Sequence, residues 1–241
     1  MSDFRDQFYE DYLDFKPDWH GKPSPGYAAY FVKVQPLAAL PRHARVLEIG
    51  FGDGQLLRWC TDRGHDVTGV EIVEALVTRA RDLRIDCLPG PLTAQTLADR
   101  QFDSIVAFDV LEHMTFEEIA DFFAFTKPSL APGGFYLLRF PNGASPFGCN
   151  YQASDITHKS ILSLGIMKQL AQRAGLRVDA TLQPRPYPSS ITGKLQRLLG
   201  YALQDFISWM LTRAYFGGQA HLEANLLVVL KVNPDATTHH E

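Results

Sequence analysis

Between Arg45 and Leu182 the chain alternates short apolar runs with stretches whose apolar residues recur at helical spacing. Strands are expected near 45–49, 66–71, 84–88, 103–108, 134–140 and 176–182, and helices near 54–63, 73–82, 93–99, 115–128 and 161–173. Such alternation builds a mainly parallel sheet with helices on both faces. Ligands of these sheets bind beyond the carboxyl ends of the strands, where the strand order reverses. Residues 1–40 are rich in rings, and Phe8, Tyr12 and Phe15 stand at helical spacing before Pro17, Pro23 and Pro25. This arm packs on the core as a helix plus a loop, or forms a lid in which Tyr9, Tyr12, Trp19 or His20 touches a ligand. After a break at Pro184, Pro186 and Pro188, apolar residues from Leu195 to Met210 recur with a 3.6-residue period, and a last strand follows at 226–232.

The first strand ends in Glu48-Ile49-Gly50-Phe51-Gly52-Asp53-Gly54, and Gln55-Leu56-Leu57-Arg58-Trp59 follows. This reads as a buried strand, a tight turn and a helix whose N-terminal N–H groups can face a polar or anionic ligand. Glycine lets a ligand approach the backbone where any Cβ would stand in the way. The G-x-G-x-x-G dinucleotide fingerprint would need a glycine at position 55, which is Gln55. The second strand ends at Glu71, 21 residues after Gly50. An acid there can accept hydrogen bonds from both hydroxyls of a ribose, or can be a solvated charge at a strand end. The fourth strand delivers Phe108 and Asp109 to its carboxyl end and continues into Leu111-Glu112-His113. Pro132-Gly133-Gly134 reads as a turn into an apolar strand.

In this order, across residues 45–140, the four motifs resemble those of class I S-adenosylmethionine-dependent methyltransferases. The resemblance implies an α/β, Rossmann-like, seven-stranded mainly parallel sheet with its last strand antiparallel. It implies S-adenosylmethionine held by Gly50, Gly52, Gly54 and Glu71, with Glu48, Phe51, Ile72, Leu92, Phe108 and Asp109 bordering it. Many members carry an acid after the third strand for the adenine amino group. Here Cys87-Leu88-Pro89-Gly90-Pro91-Leu92 has none, which leaves adenine to backbone groups and to Pro91 or Leu92. The core would occupy 41–182 and 222–233, with 1–40 as arm or lid, 183–221 as a helical insertion and 234–241 as a tail. The elements Asn142-Gly-x-Ser-Pro-Phe147 and Asp155-x-Thr-His158 are similar to those of methyltransferases among bacterial polysaccharide-modifying enzymes. That implies an oxygen or nitrogen of a small molecule or glycan as acceptor, a sugar hydroxyl first. Tyr12, Trp19, His20, Asn142 and Tyr151 are the candidate substrate residues.

Residues 141–160 form a long polar loop of a kind usually kept for function. Within it Asp155 and His158 are the best acid–base pair: the imidazole accepts a proton and the carboxylate fixes it. His113 is the rival base. The alternatives are helix caps at these positions, or catalysis by positioning with no base. Histidines and acids show no metal-ligand spacing, so no metal site is expected. The insertion helix reads as a substrate wall, a homodimer interface or a membrane-surface helix, with core packing or a dimer contact the plainest; it carries Trp209 but few basic residues.

Composition narrows the classes. Apolar residues at 46% are ample for a core, and a formal charge of −4 argues against a nucleic-acid protein. Cys60, Cys87 and Cys149 are odd in number and scattered, as expected for reduced thiols in the cytoplasm. The acidic, aromatic start is unlike a signal peptide, and no uncharged apolar run reaches the roughly 18 residues of a membrane span. The rival functions are a NAD-dependent oxidoreductase, which Gln55 disfavours, and a non-catalytic cofactor-binding or interaction protein.

Overall fold

The computed structural model describes residues 23–93, 96–97, 100–185, 188, 190–217 and 220–234 of the chain. Tyr9, Tyr12, Trp19 and His20 lie outside the described residues, as does the tail with His239 and His240. Two helices lead in, α1 (Pro25–Lys33) and α2 (Gln35–Ala38). Then come β1 (Arg45–Ile49), α3 (Gln55–Thr61), β2 (Asp66–Glu71), α4 (Glu74–Asp82), β3 (Asp86–Pro89) and β4 (Phe102–Phe108). A 3-10 turn at Leu111–His113 precedes α5 (Phe116–Thr126) and β5 (Leu130–Pro141). The chain ends with α6 (Cys149–Ala153), α7 (Leu164–Arg173), β6 (Leu176–Leu182), α8 (Ile191–Phe216) and β7 (Asn225–Val232).

The seven strands lie in the order β3-β2-β1-β4-β5-β7-β6. β1 to β5 pair in parallel, and β7 runs antiparallel between β5 and β6. The order reverses between β1 and β4, which places a crevice beyond their carboxyl ends. Successive side chains of a strand point to opposite faces, and the core divides accordingly. Leu47, Ile105, Leu138 and Val228 pack with α5 and α7 through Ile119, Phe123 and Met167. Val46, Val106, Leu137 and Val229 pack on the other face with Phe31, Leu57, Trp59 and Val77 from α1, α3 and α4. Phe31 meets Trp59 edge-on at 5.7 Å. The part of the arm from Pro25 onward therefore packs on the core through Phe31, Val34 and Leu37, and Ser24 ties it to the start of α3 by donating its N–H to Gln55 Oε1 at 2.9 Å.

Three expectations change. The helix expected at 93–99 is a turn among the described residues, because Thr93 and Thr96 bond each other's backbone and side chains and so compete with a helical ladder. Pro132-Gly133-Gly134 is no terminal turn: β5 already starts at Leu130 and runs through it, and the pairing with β4 slips there. Most notably, α8 does not pack on the core. It is a 26-residue helix, capped by the Ser190 hydroxyl and by Gly217 in left-handed geometry, and Thr212 is its one buried residue. Leu199 is 64% exposed, Phe206 58% and Trp209 57%. Both faces of the sheet are already covered, so the stripe that would suit a core points outward. Among the described residues no helix is long and apolar enough to cross a membrane.

Candidate active site

The glycine turn stands at the crevice. Gly50 has φ +64°, and a Cβ there would lie 2.5 Å from Val110 Cγ2, in the segment that follows β4. The turn is thus pressed against the end of β4. Glu71, only 7% exposed, holds it in shape. Its Oε2 accepts the Gly52 N–H at 3.0 Å, and its Oε1 accepts the N–H groups of Ile72 and Val73 at 2.7 and 3.2 Å. The β3–β4 connection folds in beside it, with the Gly90 N–H on the Glu71 carbonyl at 2.7 Å. Ile72 is exposed there, and Leu92 is half-buried against the core.

Two residues expected to border a cofactor turn inward. The Phe51 ring is buried and fills the space beside Gly69, where a Cβ would meet it at 2.7 Å. Only its backbone belongs to the turn. Glu48 lies beneath the turn and bonds the Leu57 backbone in the first turn of α3, which Gly54 has no side chain to cap. Its Oε2 has no partner among the described residues. Burial holds the Glu48 carboxyl well above the usual carboxylate range, with Asp53 and Glu71 adding repulsion. The folded protein therefore binds this proton more tightly than the unfolded chain. The resulting stability is complete below the ordinary glutamate pKa of about 4.3 and declines as pH rises through the raised value. Between about pH 5 and pH 8 the parent should lose more stability than Glu48→Gln, read as urea midpoints. Equal losses would refute this.

Beyond β4, Asp109 takes a left-handed backbone with φ +55°. Its carboxylate forms a two-point ion pair with Arg139 of β5, including Arg139 Nε to Oδ1 at 3.0 Å. The Arg139 guanidinium lies 4.8 Å from the Phe108 ring and 5.6 Å from the Tyr30 ring. Arg139 has no place in the sequence expectations, although a charge in an otherwise apolar strand was a visible signal.

The candidate acid–base residues are brought together by backbone bonds between distant segments. The Lys159 and Ser160 N–H groups both donate to the Glu112 carbonyl, at 2.7 and 3.1 Å, and the Ser160 hydroxyl donates to the Met114 carbonyl at 2.6 Å. These bonds draw the polar loop onto the 3-10 turn, so the His113 and His158 rings meet edge-on with centroids 4.7 Å apart. The expected Asp155–His158 pairing is not what forms. Asp155 Oδ1 accepts from the Thr157 N–H at 2.9 Å and from its hydroxyl at 2.5 Å, and Thr157 Oγ1 lies 2.8 Å from His113 Nδ1. His158 Nδ1 instead lies 3.0 Å from the Gln152 carbonyl. A carboxylate two residues from a hydroxyl and a backbone N–H closes a local turn more readily than it reaches the next imidazole. Burial would raise the Asp155 pKa, but the Thr157 bonds and the two imidazoles outweigh it and hold the carboxyl below its usual value. Glu112 is a further residue without a role in the sequence expectations. It is 1% exposed, and burial, with Asp109 adding repulsion, pushes its carboxyl up to about 8.

Asn142 does not reach a substrate space either. Its amide donates to the carbonyls of His221 and Glu223 at 2.8 and 3.1 Å, and its oxygen accepts the Ala144 N–H at 3.2 Å, clamping the loop to the approach of β7. Tyr151 on α6 is 52% exposed. A separate hollow lined by Gln35, Asp103 and Pro132 lies at the amino end of β4, away from these groups.

This arrangement is a glycine cradle braced by a strand-end acid at the strand-order reversal, with an imidazole pair after β4. It coincides with a match of residues 26–181 to a methyltransferase domain family. The chain belongs to that family. The methyltransferase domain is 32% identical over 139 residues to a probable S-adenosylmethionine-dependent methyltransferase of Mycolicibacterium smegmatis, covering 57% of this chain. The match spans 53% of that relative, about half its length. Among solved structures it is similar to an N1-methyltransferase of Burkholderia thailandensis with bound 1,6-didemethyltoxoflavin and S-adenosylhomocysteine. That likeness has a TM-score of 0.58 at 17% identity, over 94% of this chain and 85% of that one. An S-adenosylmethionine-dependent methyltransferase of Archaeoglobus fulgidus is similar at TM-score 0.57 and 18% identity, over 95% of this chain and all of that one. At these identities the two structures speak for the fold of the methyltransferase domain.

Proposed function

We propose that this chain transfers a methyl group from S-adenosylmethionine to an oxygen of a small-molecule or glycan-type acceptor. The observation that carries the reading is the contact between the two halves of the site. The segment after β4 abuts Gly50 through Val110 and carries His113 three positions on, and the backbone bonds of Lys159 and Ser160 to Glu112 bring His158 against it. The residues fit the cofactor. Gly50 gives the tight turn at the strand end its positive φ, the Glu71 carboxylate keeps a lone pair beyond its three backbone bonds, and Ile72 and Leu92 offer apolar contact to a purine. When bound, S-adenosylmethionine supplies an electrophilic methyl on a sulfonium.

The chain's own groups do the rest. Glu71 holds the ribose and keeps the turn in shape. The imidazoles face the acceptor, whose hydroxyl oxygen must shed a proton as it bonds to carbon. His158 Nδ1 donates to a carbonyl, so its Nε2 carries the lone pair able to take that proton. Positioning the acceptor within reach supplies much of the acceleration. The test is to incubate the chain with S-adenosylmethionine and a panel of sugars and phenols, and to follow S-adenosylhomocysteine together with the methylated product. Equimolar methyl ether and S-adenosylhomocysteine is the expected result. Tight S-adenosylhomocysteine binding with no transfer to any hydroxyl would favour the non-catalytic binding protein instead.

A further inference from the structure

We propose that Glu112, His113 and His158 form a binding site for one divalent cation, placed to hold the acceptor hydroxyl. One donor atom from each of the three lies within 4.8 Å of the other two. The second observation is independent of this clustering: Glu112 is 1% exposed, and among the described residues its Oε2 meets no hydrogen-bond donor. A buried carboxyl oxygen with nothing to bind is costly, and the cations that could serve it are engaged elsewhere. Arg139 is paired with Asp109, and Lys159 Nζ lies 3.5 Å from Glu118.

The imidazoles are set in the form that metal ligation needs. The Thr157 hydroxyl donates to Asp155, so its oxygen accepts from His113, which puts the proton of that ring on Nδ1. His158 likewise carries its proton on Nδ1, facing the Gln152 carbonyl. Both rings therefore present Nε2 as the lone-pair nitrogen, each oriented through its other nitrogen by an oxygen acceptor, the usual outer support of a metal-bound histidine. Two imidazoles and one carboxylate suit a borderline ion such as zinc or manganese, and three protein ligands leave positions open for acceptor oxygens.

The inference rests on the methyltransferase reading for its role, but not for its existence. A cation here lowers the pKa of a coordinated hydroxyl, whose proton is lost to solvent. The oxygen's electron pair then forms the bond to the methyl carbon as the carbon–sulfur bond breaks, leaving its pair on sulfur and neutralising the sulfonium. In that state the His158 lone pair binds the ion and is not the base.

The test uses the full chain, stripped with a chelator and titrated with manganese by electron paramagnetic resonance and with zinc by calorimetry. S-adenosylhomocysteine is titrated into the same samples. The expected result is one equivalent of metal, weakened at least a hundredfold in both Glu112→Gln and His158→Ala, with S-adenosylhomocysteine affinity within threefold of the parent. Thr157→Val, which removes the oxygen that orients His113 Nδ1, should weaken metal binding more modestly, by about ten- to a hundredfold. No stoichiometric binding, or binding unchanged in both ligand variants, overturns the site. Failure of S-adenosylhomocysteine binding with metal binding intact leaves the site standing and removes the methyltransferase reading.

Discussion

Replacing Glu71 with alanine is expected to weaken S-adenosylhomocysteine binding by about a hundredfold or more in a calorimetric titration. Hydrogen bonds to a charged group contribute about 1.5–3 kcal/mol each, and one from a ribose hydroxyl, together with the loss of the turn that the carboxylate's backbone bonds brace, accounts for such a loss at about 1.4 kcal/mol per factor of ten. The same substitution orphans the N–H groups of Gly52, Ile72 and Val73, all of which end on this carboxylate. The turn should therefore lose its shape along with its partner, and the midpoint of thermal unfolding should fall as well. Glu71→Gln separates the two effects: its amide oxygen can keep some of the backbone bonds while the charge is gone. An alanine variant that binds within threefold of the parent would sink the ribose assignment.

The second large effect belongs to Asp109. Alanine there should destabilise the fold by about 2–4 kcal/mol, below the 3–5 typical of a fully buried pair because Asp109 itself remains partly solvated. The Arg139 side chain is 15% exposed and that of Asp109 44% exposed, so the loss falls mainly on an arginine left without its counter-charge. A backbone cost adds to it, since alanine tolerates φ +55° less well than aspartate. Asp109→Asn accepts that backbone but loses the charge, and Asp109→Gly relieves the backbone and loses the same charge. If the ion pair governs, urea unfolding should show all three well below the parent and close to one another. A parent-like midpoint for Asp109→Asn would refute it.

The two residues differ in how readable they were. Glu71 announces itself through a β-branched strand and its distance from Gly50, both local patterns. Asp109 was legible as a strand-end acid, but its partner stands 30 residues away on β5, and no spacing joins them. The imidazole group shows the same division. His113 and His158 were each visible as candidates, whereas their 4.7 Å contact depends on backbone bonds from Lys159 and Ser160 to Glu112. That is also why no metal-ligand spacing could be seen: the proposed ligands come from two segments brought together by the fold. Asn142 shows the converse, since a polar residue in a polar loop reads as available until its amide is found clamped to residues 221 and 223.

By itself the sequence determined the alternation of strands and helices, the mainly parallel sheet, the glycine turn and the strand-end acid. All of these rest on periodicity and on conformational needs that act within a few residues. Only the tertiary structure decided that Phe51 and Glu48 turn inward, that Asp155 serves His113 through Thr157, that Glu112 is a buried carboxyl beside two imidazoles, and that the apolar stripe of α8 faces outward. Those outcomes depend on which surfaces were already covered and which hydrogen-bond partners lay nearest after packing, and the distances involved exist only once remote segments have met.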